Sequence, residues 1–238
     1  MTRVMVKDDP STSPPAGPPG DEPPPDEEAW ARSRFAGVPH EPLTDADLRR
    51  WPFGIGAVET RNGITFFRSR HPDGFTSDDL RQTPEDGRRY ELLDGTIVVS
   101  PSPGYTHQLA VAHLLTILVG AQTGTARTLP APFDITLTRG RILQPDIVVM
   151  PHIKAKIPIL VVEILSRYGR GYDRKEKFGE YEASGIPSYW VIDPDILAIS
   201  VFELAEDRYE QITYIEDSAM CKVERPFPVS FSPAALLA

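Results

Sequence analysis

Two short, mostly apolar segments of the chain each contain one acidic residue. The first reads GlnProAspIleValValMet over 144–150 and includes Asp146, and the second reads IleLeuValValGluIleLeuSer over 159–166 and includes Glu163. Short apolar runs that are rich in β-branched residues are typical of strands in a sheet covered on both faces. A carboxylate in such a strand is costly to bury unless it is paired, hydrogen-bonded or bound to a metal. Any fold of this chain must therefore provide partners for Asp146 and Glu163.

The composition excludes several classes of protein. The 238 residues suffice for one domain of ordinary size with additions. No run approaches the roughly 18 apolar residues of a membrane span, and the N-terminus lacks the apolar core of a secretory signal, so we expect a cytoplasmic protein with no membrane partner. The single cysteine, Cys221, excludes an intramolecular disulfide and a cysteine-based zinc site. The net charge of −9 argues against a broadly basic nucleic-acid surface, although a local basic groove or a nuclease with a cation in its acidic site stays possible.

Three regions of the chain differ in their sequence pattern. Residues 1–43 combine proline with acidic charge, which predicts a disordered tail, with a proline-motif ligand as the alternative. Residues 44–75 predict a small N-terminal elaboration, with a short helix capped by Thr44 and a hairpin that turns at the AsnGly of 62–63. Residues 76–238 predict the main domain.

The main domain alternates helices and strands in an order that predicts a mixed α/β or α+β sheet. Its helices are expected after a cap at Thr76 or Ser77, from His107 to about Ala121 with Thr106 as the cap, and over 173–184. Its strands are expected in a hairpin over 90–100 that turns at Asp94–Gly95, and at 127–129, 133–137, 142–150, 159–165, 189–193, 199–204 and 209–214. Tyr181 and Tyr189–Trp190 are expected in the core rather than stacked on bases.

The two acidic strands predict a metal site. A short loop around 154–156 joins them, so the carboxylates of Asp146 and Glu163 are expected side by side. Two hard oxygen donors suit Mg²⁺ or Mn²⁺, and the carbonyl of Ile164 is a candidate third ligand. Such an ion polarises a phosphodiester and lowers the pKa of an attacking water. The alternative is a structural carboxylate pair satisfied by arginine or by backbone amides.

Several sequence motifs around these two strands resemble those of a known protein family. ProAsp followed by a glutamate on the next strand resembles the PD-(D/E)xK signature of nucleases. The Uma-type bacterial family of restriction-endonuclease-like proteins is similar over about 76–204, in the words ThrProGluAspGlyArgArgTyrGluLeuLeuAspGly (83–95), SerProSerProGlyTyrThrHisGln (100–108), LeuProAlaProPheAspIle (129–135), GlnProAspIleValVal (144–149), ValValGluIleLeuSer (161–166), TyrAspArgLysGluLysPheGlyGluTyr (172–181) and GlyIleProSerTyrTrpValIleAspPro (185–194). The resemblance implies a mixed β-sheet flanked by helices and an endonuclease that acts on DNA with Mg²⁺ or Mn²⁺. Nucleases of this fold often cut as dimers, so a homodimer is also expected.

The chain departs from the nuclease signature at one position. Leu165 stands where the lysine of an ExK motif is expected, and a leucine cannot stabilise an attacking hydroxide. The resemblance implies a lysine relocated to the next helix, where Asp173, Lys177 and Tyr181 are four residues apart and share a face. Lys177 is therefore the candidate catalytic lysine, and Lys175, on another face, is the lesser candidate. A surface pair with Asp173 is the alternative role of Lys177.

Three further residues are candidates for the site. Glu91 is expected to face inward as a metal or water ligand, or else to pair with Arg88 or Arg89. His107, at the start of a helix, is a candidate phosphate contact because helix N-termini favour anions, or else a structural histidine. Gln144, on the strand of the ProAsp pair, is a candidate to support the ligands and contact the substrate.

The leading functional hypothesis is a Mg²⁺-dependent endonuclease in which Asp146 and Glu163 hold the metal, Lys177 stabilises developing negative charge, and Glu91 completes the site or orients water. A second is an inactive nuclease fold that binds nucleic acid or protein. A third is a partner protein that acts through the acidic, proline-rich tail. A Lys177 nitrogen within about one water of the carboxylates favours catalysis, and one that projects into solvent favours binding.

Overall fold

The computed structural model describes residues 54–166 and 176–238. The predicted tail, the predicted helix after Thr44, and positions 173 and 175 lie outside these residues. The hairpin predicted at AsnGly is confirmed, since Asn62 and Gly63 both have positive φ (51° and 81°) between two antiparallel strands. The hairpin at Asp94–Gly95 is confirmed in the same way, with φ of 47° and 74°. Positive φ at both turn residues gives a twist that matches that of the flanking strands.

The described residues form two six-stranded sheets and a short third sheet. The first sheet, sheet 1, contains β1 (Ile55–Arg61), β2 (Ile64–Ser69), β3 (Arg89–Leu93), β4 (Thr96–Ser100), β6 (Ile135–Thr138) and β7 (Arg141–Leu143), in the order β1-β2-β4-β3-β7-β6. The second, sheet 2, contains β5 (Arg127–Pro130), β8 (Ile147–Met150), β9 (Leu160–Ile164), β10 (Ser188–Asp193), β11 (Ala198–Ala205) and β12 (Arg208–Glu216), in the order β12-β11-β10-β9-β8-β5. Strands β9 and β10 are parallel, and the other pairings are antiparallel.

The remaining elements are three α-helices, a 3-10 helix and one small hairpin. They are α1 (Ser77–Leu80), α2 (Tyr105–Ala121), α3 (Phe178–Ala183), the 3-10 helix at Pro233–Leu236, and the pair β13 (Cys221–Val223) and β14 (Val229–Phe231). The 3-10 helix and the two strands β13 and β14 were not predicted, because three-residue strands and single-turn helices carry too little periodicity to recognise. The first hairpin joins sheet 1 through pairing of β2 with β4, while the domain boundary at residue 76 stays a prediction.

The predicted strand over 142–150 is wrong, because the chain forms two strands there, in different sheets. Strand β7 ends at Leu143 in sheet 1, and β8 begins at Ile147 in sheet 2. Pro145 has no N–H to donate to a ladder, and the N–H of Gln144 donates to a side chain instead. The break therefore places Asp146 at the crossing between the two sheets.

Helix α2 begins earlier than predicted. Its first residue is Tyr105 and its N-cap is Gly104, whose extended backbone precedes the first helical hydrogen bond, from the N–H of Gln108. The predicted cap at Thr106 is wrong because that residue already lies inside the first turn. The cap at Thr76 is confirmed, with its hydroxyl accepting from the N–H of Asp79. None of the helices in the described segments combines the length and apolar character that a membrane crossing requires.

Both faces of sheet 2 are covered, as the apolar runs predict. On one face Val162 and Trp190 pack with Leu114 of α2, and on the other Val161 packs with Tyr181 of α3. These side chains are fully buried. The alternation predicted for the Glu163 strand is confirmed, since successive residues of β9 belong to opposite cores.

The hairpin of β3 and β4 meets a second tight turn, which gives a testable prediction. A Cβ added at Gly74 (φ +77°) would lie 2.6 Å from the Cα of Gly95, whereas a Cβ at Gly124 (φ +60°) would meet nothing within 4 Å. Both alanine substitutions place a Cβ on a backbone in the left-handed region, which costs about 1 kcal/mol. We expect Gly74→Ala to lower the free energy of unfolding by a further 1–3 kcal/mol or so, because backbone must shift. Urea unfolding of both variants measures the difference, and equal losses would contradict the packing described.

Candidate active site

Asp146 is buried and engaged on both carboxylate oxygens. Its Oδ2 accepts from the backbone N–H of Ile164 at 2.7 Å and lies 3.1 Å from Nε2 of His107. Its Oδ1 accepts from Nη2 of Arg89 at 2.5 Å. Burial alone would raise the pKa of Asp146, but the neighbouring Arg89 and His107 outweigh it and lower that pKa below its usual range. The carboxylate is therefore held in its charged form.

Glu163 lies on the adjacent strand and is also buried. Its Oε1 accepts from Oη of Tyr181 at 2.6 Å and from Nζ of Lys177 at 3.2 Å. Its Oε2 lies 3.9 Å from Nη1 of Arg89. Lys177 and Tyr181 thus point to one carboxylate, as their shared helix face predicts. Burial, followed by the charges of Glu163 and Glu91, raises the pKa of the Tyr181 hydroxyl well above its usual value.

Lys177 connects Glu163 to a third buried carboxylate, that of Glu91. The ammonium nitrogen lies 2.9 Å from Oε1 of Glu91, and its side chain is 2% exposed. The same Oε1 accepts from the backbone N–H of Gln144 at 2.8 Å. The other oxygen, Oε2, is buried and has no hydrogen-bond donor among residues 54–166 and 176–238. The ammonium therefore lies inside the protein, between two carboxylates.

Arg89 connects Asp146 to Glu163 on the opposite side. Burial lowers the pKa of its guanidinium, but the carboxylates of Asp146, Glu163 and Glu91 outweigh this and raise the pKa further above its ordinary value. Among residues 54–166 and 176–238, three carboxylates thus share two basic side chains, Arg89 and Lys177, which leaves one formal negative charge in excess within these residues when all are ionised and His107 is neutral. The cluster is an ionic network with an anionic surplus.

The structure brings most of the predicted site residues together. Asp146, Glu163, Lys177 and Glu91 share the cluster, and His107 contacts it through Asp146. The side chain of Gln144 points elsewhere, since its Nε2 donates to Asp134 at 3.0 Å, and only its backbone contacts the cluster. Ile164 contacts Asp146 through its amide, and its carbonyl stays a predicted ligand.

About two thirds of the chain matches a family model. The Uma2 family, described as "Putative restriction endonuclease", matches over residues 77–237. The chain belongs to the Uma2 family. This confirms the resemblance carried by the sequence words, and residues 54–76 of the described part lie outside the match.

The fold of this Uma2-family chain is similar to a solved structure. That structure is described as a "putative nuclease belonging to DUF820" from Anabaena variabilis ATCC 29413. The TM-score is 0.57 at 20% sequence identity, over 68% of this chain and 97% of that chain. At this identity the similarity shows the fold alone, and it confirms the predicted mixed sheet flanked by helices. No curated protein matches the chain.

Sequence reasoning missed two members of the Uma2-family cluster. Arg89 was considered only as a partner for Glu91, although the spacing of two residues on β3 already places both side chains on one face. Tyr181 was assigned to the core, which is confirmed, but its hydroxyl also binds Glu163. The shared helix face with Lys177 was the available signal for this second contact.

The donor chemistry of the cluster fits a divalent cation, but the closed arrangement requires a change. Asp146 and Glu163 supply hard oxygen donors, and Oε2 of Glu91 is a further carboxylate oxygen without a hydrogen-bond partner in the described part of the chain. Yet the guanidinium of Arg89 lies against both Asp146 and Glu163. Accordingly, no group of three or more metal-binding side chains within the described ranges has the geometry to hold an ion. Asp146 and Glu163 would hold a metal once Arg89 has moved.

A surface pocket opens beside Asp146. It is lined by Arg89, His107, Ser100 and Ser166, among others. His107 is almost fully buried, and its Nδ1 has no hydrogen-bond partner in the described part of the chain. The pocket therefore gives a molecule in solvent access to Arg89 and Asp146, with the start of α2 at its side.

The hydroxyl of Tyr181 gives a testable stability difference. Tyr181→Phe removes a hydrogen bond to the charged Glu163 and keeps the ring, so we expect the free energy of unfolding to fall by about 1.5–3 kcal/mol. Tyr209→Phe is the matched control, because its hydroxyl donates to the neutral carbonyl of Ile186 at 2.9 Å, and we expect a loss of about 0.5–1.5 kcal/mol. Urea unfolding measures both, and a larger loss in the control would contradict a charged Glu163.

The lowered pKa of Asp146 makes the free energy of unfolding depend on pH. Its charged form stabilises the fold above the unfolded pKa of about 3.9, and this stabilisation is lost as the pH falls toward the folded pKa. We expect the wild type to lose about 1 kcal/mol more than Asp146→Asn between pH 5 and pH 3. Urea unfolding in the presence of EDTA measures both profiles. Parallel profiles would show that Asp146 is not held as a charged partner of Arg89.

Proposed function

We propose that the chain is a Mg²⁺- or Mn²⁺-dependent endonuclease that hydrolyses phosphodiester bonds of DNA. The observation that carries the proposal is the buried ammonium of Lys177, which lies 2.9 Å from Glu91 and 3.2 Å from Glu163. Burying a lysine beside two carboxylates at a sheet crossing is costly, and such clusters of charge are typical of functional sites. Family membership supports a nuclease. DNA as the substrate and a homodimer rest on the resemblance to nucleases alone, and a cytoplasmic location rests on the composition.

Asp146 and Glu163 are the residues proposed to hold the metal, with the carbonyl of Ile164 as a further donor. A bound dication supplies Lewis-acid polarisation of the phosphodiester. The backbone N–H of Ile164 holds Asp146 in place, and Tyr181 holds Glu163. Both ligands are therefore positioned by groups on structured elements rather than by loops.

Lys177 takes the role that the lysine of an ExK motif has in related nucleases. In hydrolysis a water oxygen forms a bond to phosphorus while the bond from phosphorus to the leaving oxygen breaks. Negative charge develops on the phosphoryl oxygens, and a fixed ammonium in a site shielded from water stabilises it. Glu91 holds the ammonium through Oε1. Its buried Oε2, which has no hydrogen-bond partner among the described residues, is the oxygen proposed to orient the attacking water.

His107 is the proposed contact for the substrate backbone. It lines the pocket beside Asp146, and it lies in the first turn of α2, where backbone N–H groups favour anions. Its Nδ1 is buried and has no partner in the described residues, and we propose that it contacts a phosphate oxygen of bound substrate. Gln144 supports the site through the N–H that it donates to Glu91.

A second candidate function is a module that binds nucleic acid or protein without cutting. The observation that favours it is the position of Arg89, which already neutralises Asp146 and Glu163 with a protein cation. In that case the cluster stabilises the crossing between the sheets and needs no metal. Metal-dependent cleavage separates the two candidates.

Cleavage of plasmid DNA tests the proposal. With Mg²⁺ or Mn²⁺ we expect the wild type to nick supercoiled plasmid, and we expect Asp146→Asn, Glu163→Gln and Lys177→Met to be slower by about 100-fold or more, because each loses a metal ligand or the stabilising cation. Lys222→Met is the matched control, since Lys222 is exposed on β13 and distant in sequence from the cluster.

Circular dichroism on the same samples shows whether each variant is folded. Nicking that persists in a folded Lys177→Met protein would exclude Lys177 as the catalytic lysine. A wild type that binds DNA without cutting it in either metal would favour the binding module.

A further inference from the structure

We propose that Arg89 competes with the divalent cation for Asp146 and Glu163, so that metal enters only as the guanidinium moves out toward the adjoining pocket. This inference rests on the proposed metal site. It adds a component to that site that the nuclease signature does not contain. Arg89 thereby acts as a positioning residue, which keeps the two carboxylates together while the metal is absent.

The contacts of Arg89 place its positive charge against the two carboxylates that would hold the metal. Nη2 is 2.5 Å from Oδ1 of Asp146 and Nη1 is 3.9 Å from Oε2 of Glu163. A divalent cation held at this site would need oxygens of these same two carboxylates. A guanidinium and a dication cannot share that space, and like charges at such a distance repel strongly.

Exposure distinguishes Arg89 from the second cation of the cluster. The side chain of Arg89 is 15% exposed, whereas those of Asp146, Glu163 and Lys177 are 1–2% exposed. Arg89 is therefore the member nearest to solvent, and it lines the pocket beside Asp146. The pocket gives its guanidinium a route toward solvent. Lys177 has no comparable exposure and stays between its two carboxylates.

The charge balance supports the exchange. With Arg89 in place, the three carboxylates of the described cluster carry one formal negative charge more than Arg89 and Lys177 together, when all are ionised. Replacing the single positive charge of Arg89 by the two positive charges of a divalent cation would neutralise that surplus. The exchange costs the hydrogen bond from Arg89 to Asp146 and requires desolvation of the ion, so the arginine lowers the apparent metal affinity without abolishing it.

Metal binding to purified full-length protein tests the competition. Calorimetric titration with Mn²⁺ is compared between the wild type and Arg89→Gln, which keeps a polar side chain and removes the charge. We expect the variant to bind Mn²⁺ at least about tenfold more tightly. We also expect its melting temperature to be lower than that of the wild type in EDTA and to rise more on addition of Mn²⁺. Arg88→Gln is the matched control. It removes one positive charge from the neighbouring residue, whose side chain pairs with Asp86 rather than with the cluster.

The outcomes separate this inference from the proposed function. Tighter binding in Arg89→Gln with unchanged binding in Arg88→Gln supports the competition. Equal or weaker binding in Arg89→Gln overturns it and leaves the metal site intact, provided that the wild type binds. Absence of Mn²⁺ binding in all three proteins overturns both the inference and the metal-dependent function.

A measurement on the wild type keeps the inference testable if Arg89→Gln does not fold. The Nε–H group of Arg89 gives an NMR signal that is assigned with Arg89→Lys, in which the signal is absent. Saturating Mg²⁺ is expected to shift this signal and to speed its exchange with water, because the guanidinium leaves its buried partners. A signal that keeps its shift and slow exchange at Mg²⁺ concentrations that saturate binding would overturn the inference.

Discussion

The structure depends on how three buried carboxylates are partnered away from water. An isolated buried carboxylate is costly, and the cost falls only when cations and N–H donors surround it. Here Asp146, Glu163 and Glu91 share Arg89 and Lys177, and each also accepts a hydrogen bond from a backbone amide or a tyrosine. Removing either cation would leave buried charges facing each other, so the network is tightly constrained. The same network contains the residues proposed to carry out phosphodiester hydrolysis.

The crossing between the two sheets is what assembles this network. Strand β3 of sheet 1 carries Arg89 and Glu91, strand β9 of sheet 2 carries Glu163, and Asp146 lies in the break between β7 and β8. Lys177 approaches from the turn that precedes α3. Pro145 creates the break by ending the ladder. A continuous strand would have kept the acidic residues in one sheet and away from Glu91.

Local patterns predicted the parts of this site that depend on spacing. The AsnGly and AspGly turns, the alternation of Glu163 with its apolar neighbours and the helix face shared by Lys177 and Tyr181 were all readable, and they are confirmed. The break at Pro145 was not predicted, although a proline that cannot donate to a ladder was a local signal for it. The start of α2 and the C-terminal hairpin were not predicted, because they depend on tertiary contacts or on very short elements. The position of Arg89 between two carboxylates required the three-dimensional crossing, since 57 residues separate it from Asp146.

The most direct test of the account is an anomalous-scattering map from crystals grown with Mn²⁺. The account predicts one manganese peak within about 2.0–2.3 Å of oxygens from both Asp146 and Glu163, with the guanidinium of Arg89 withdrawn and the ammonium of Lys177 still between Glu91 and Glu163. A map at millimolar Mn²⁺ with no peak at these carboxylates, and with Arg89 still bonded to Asp146, would contradict it.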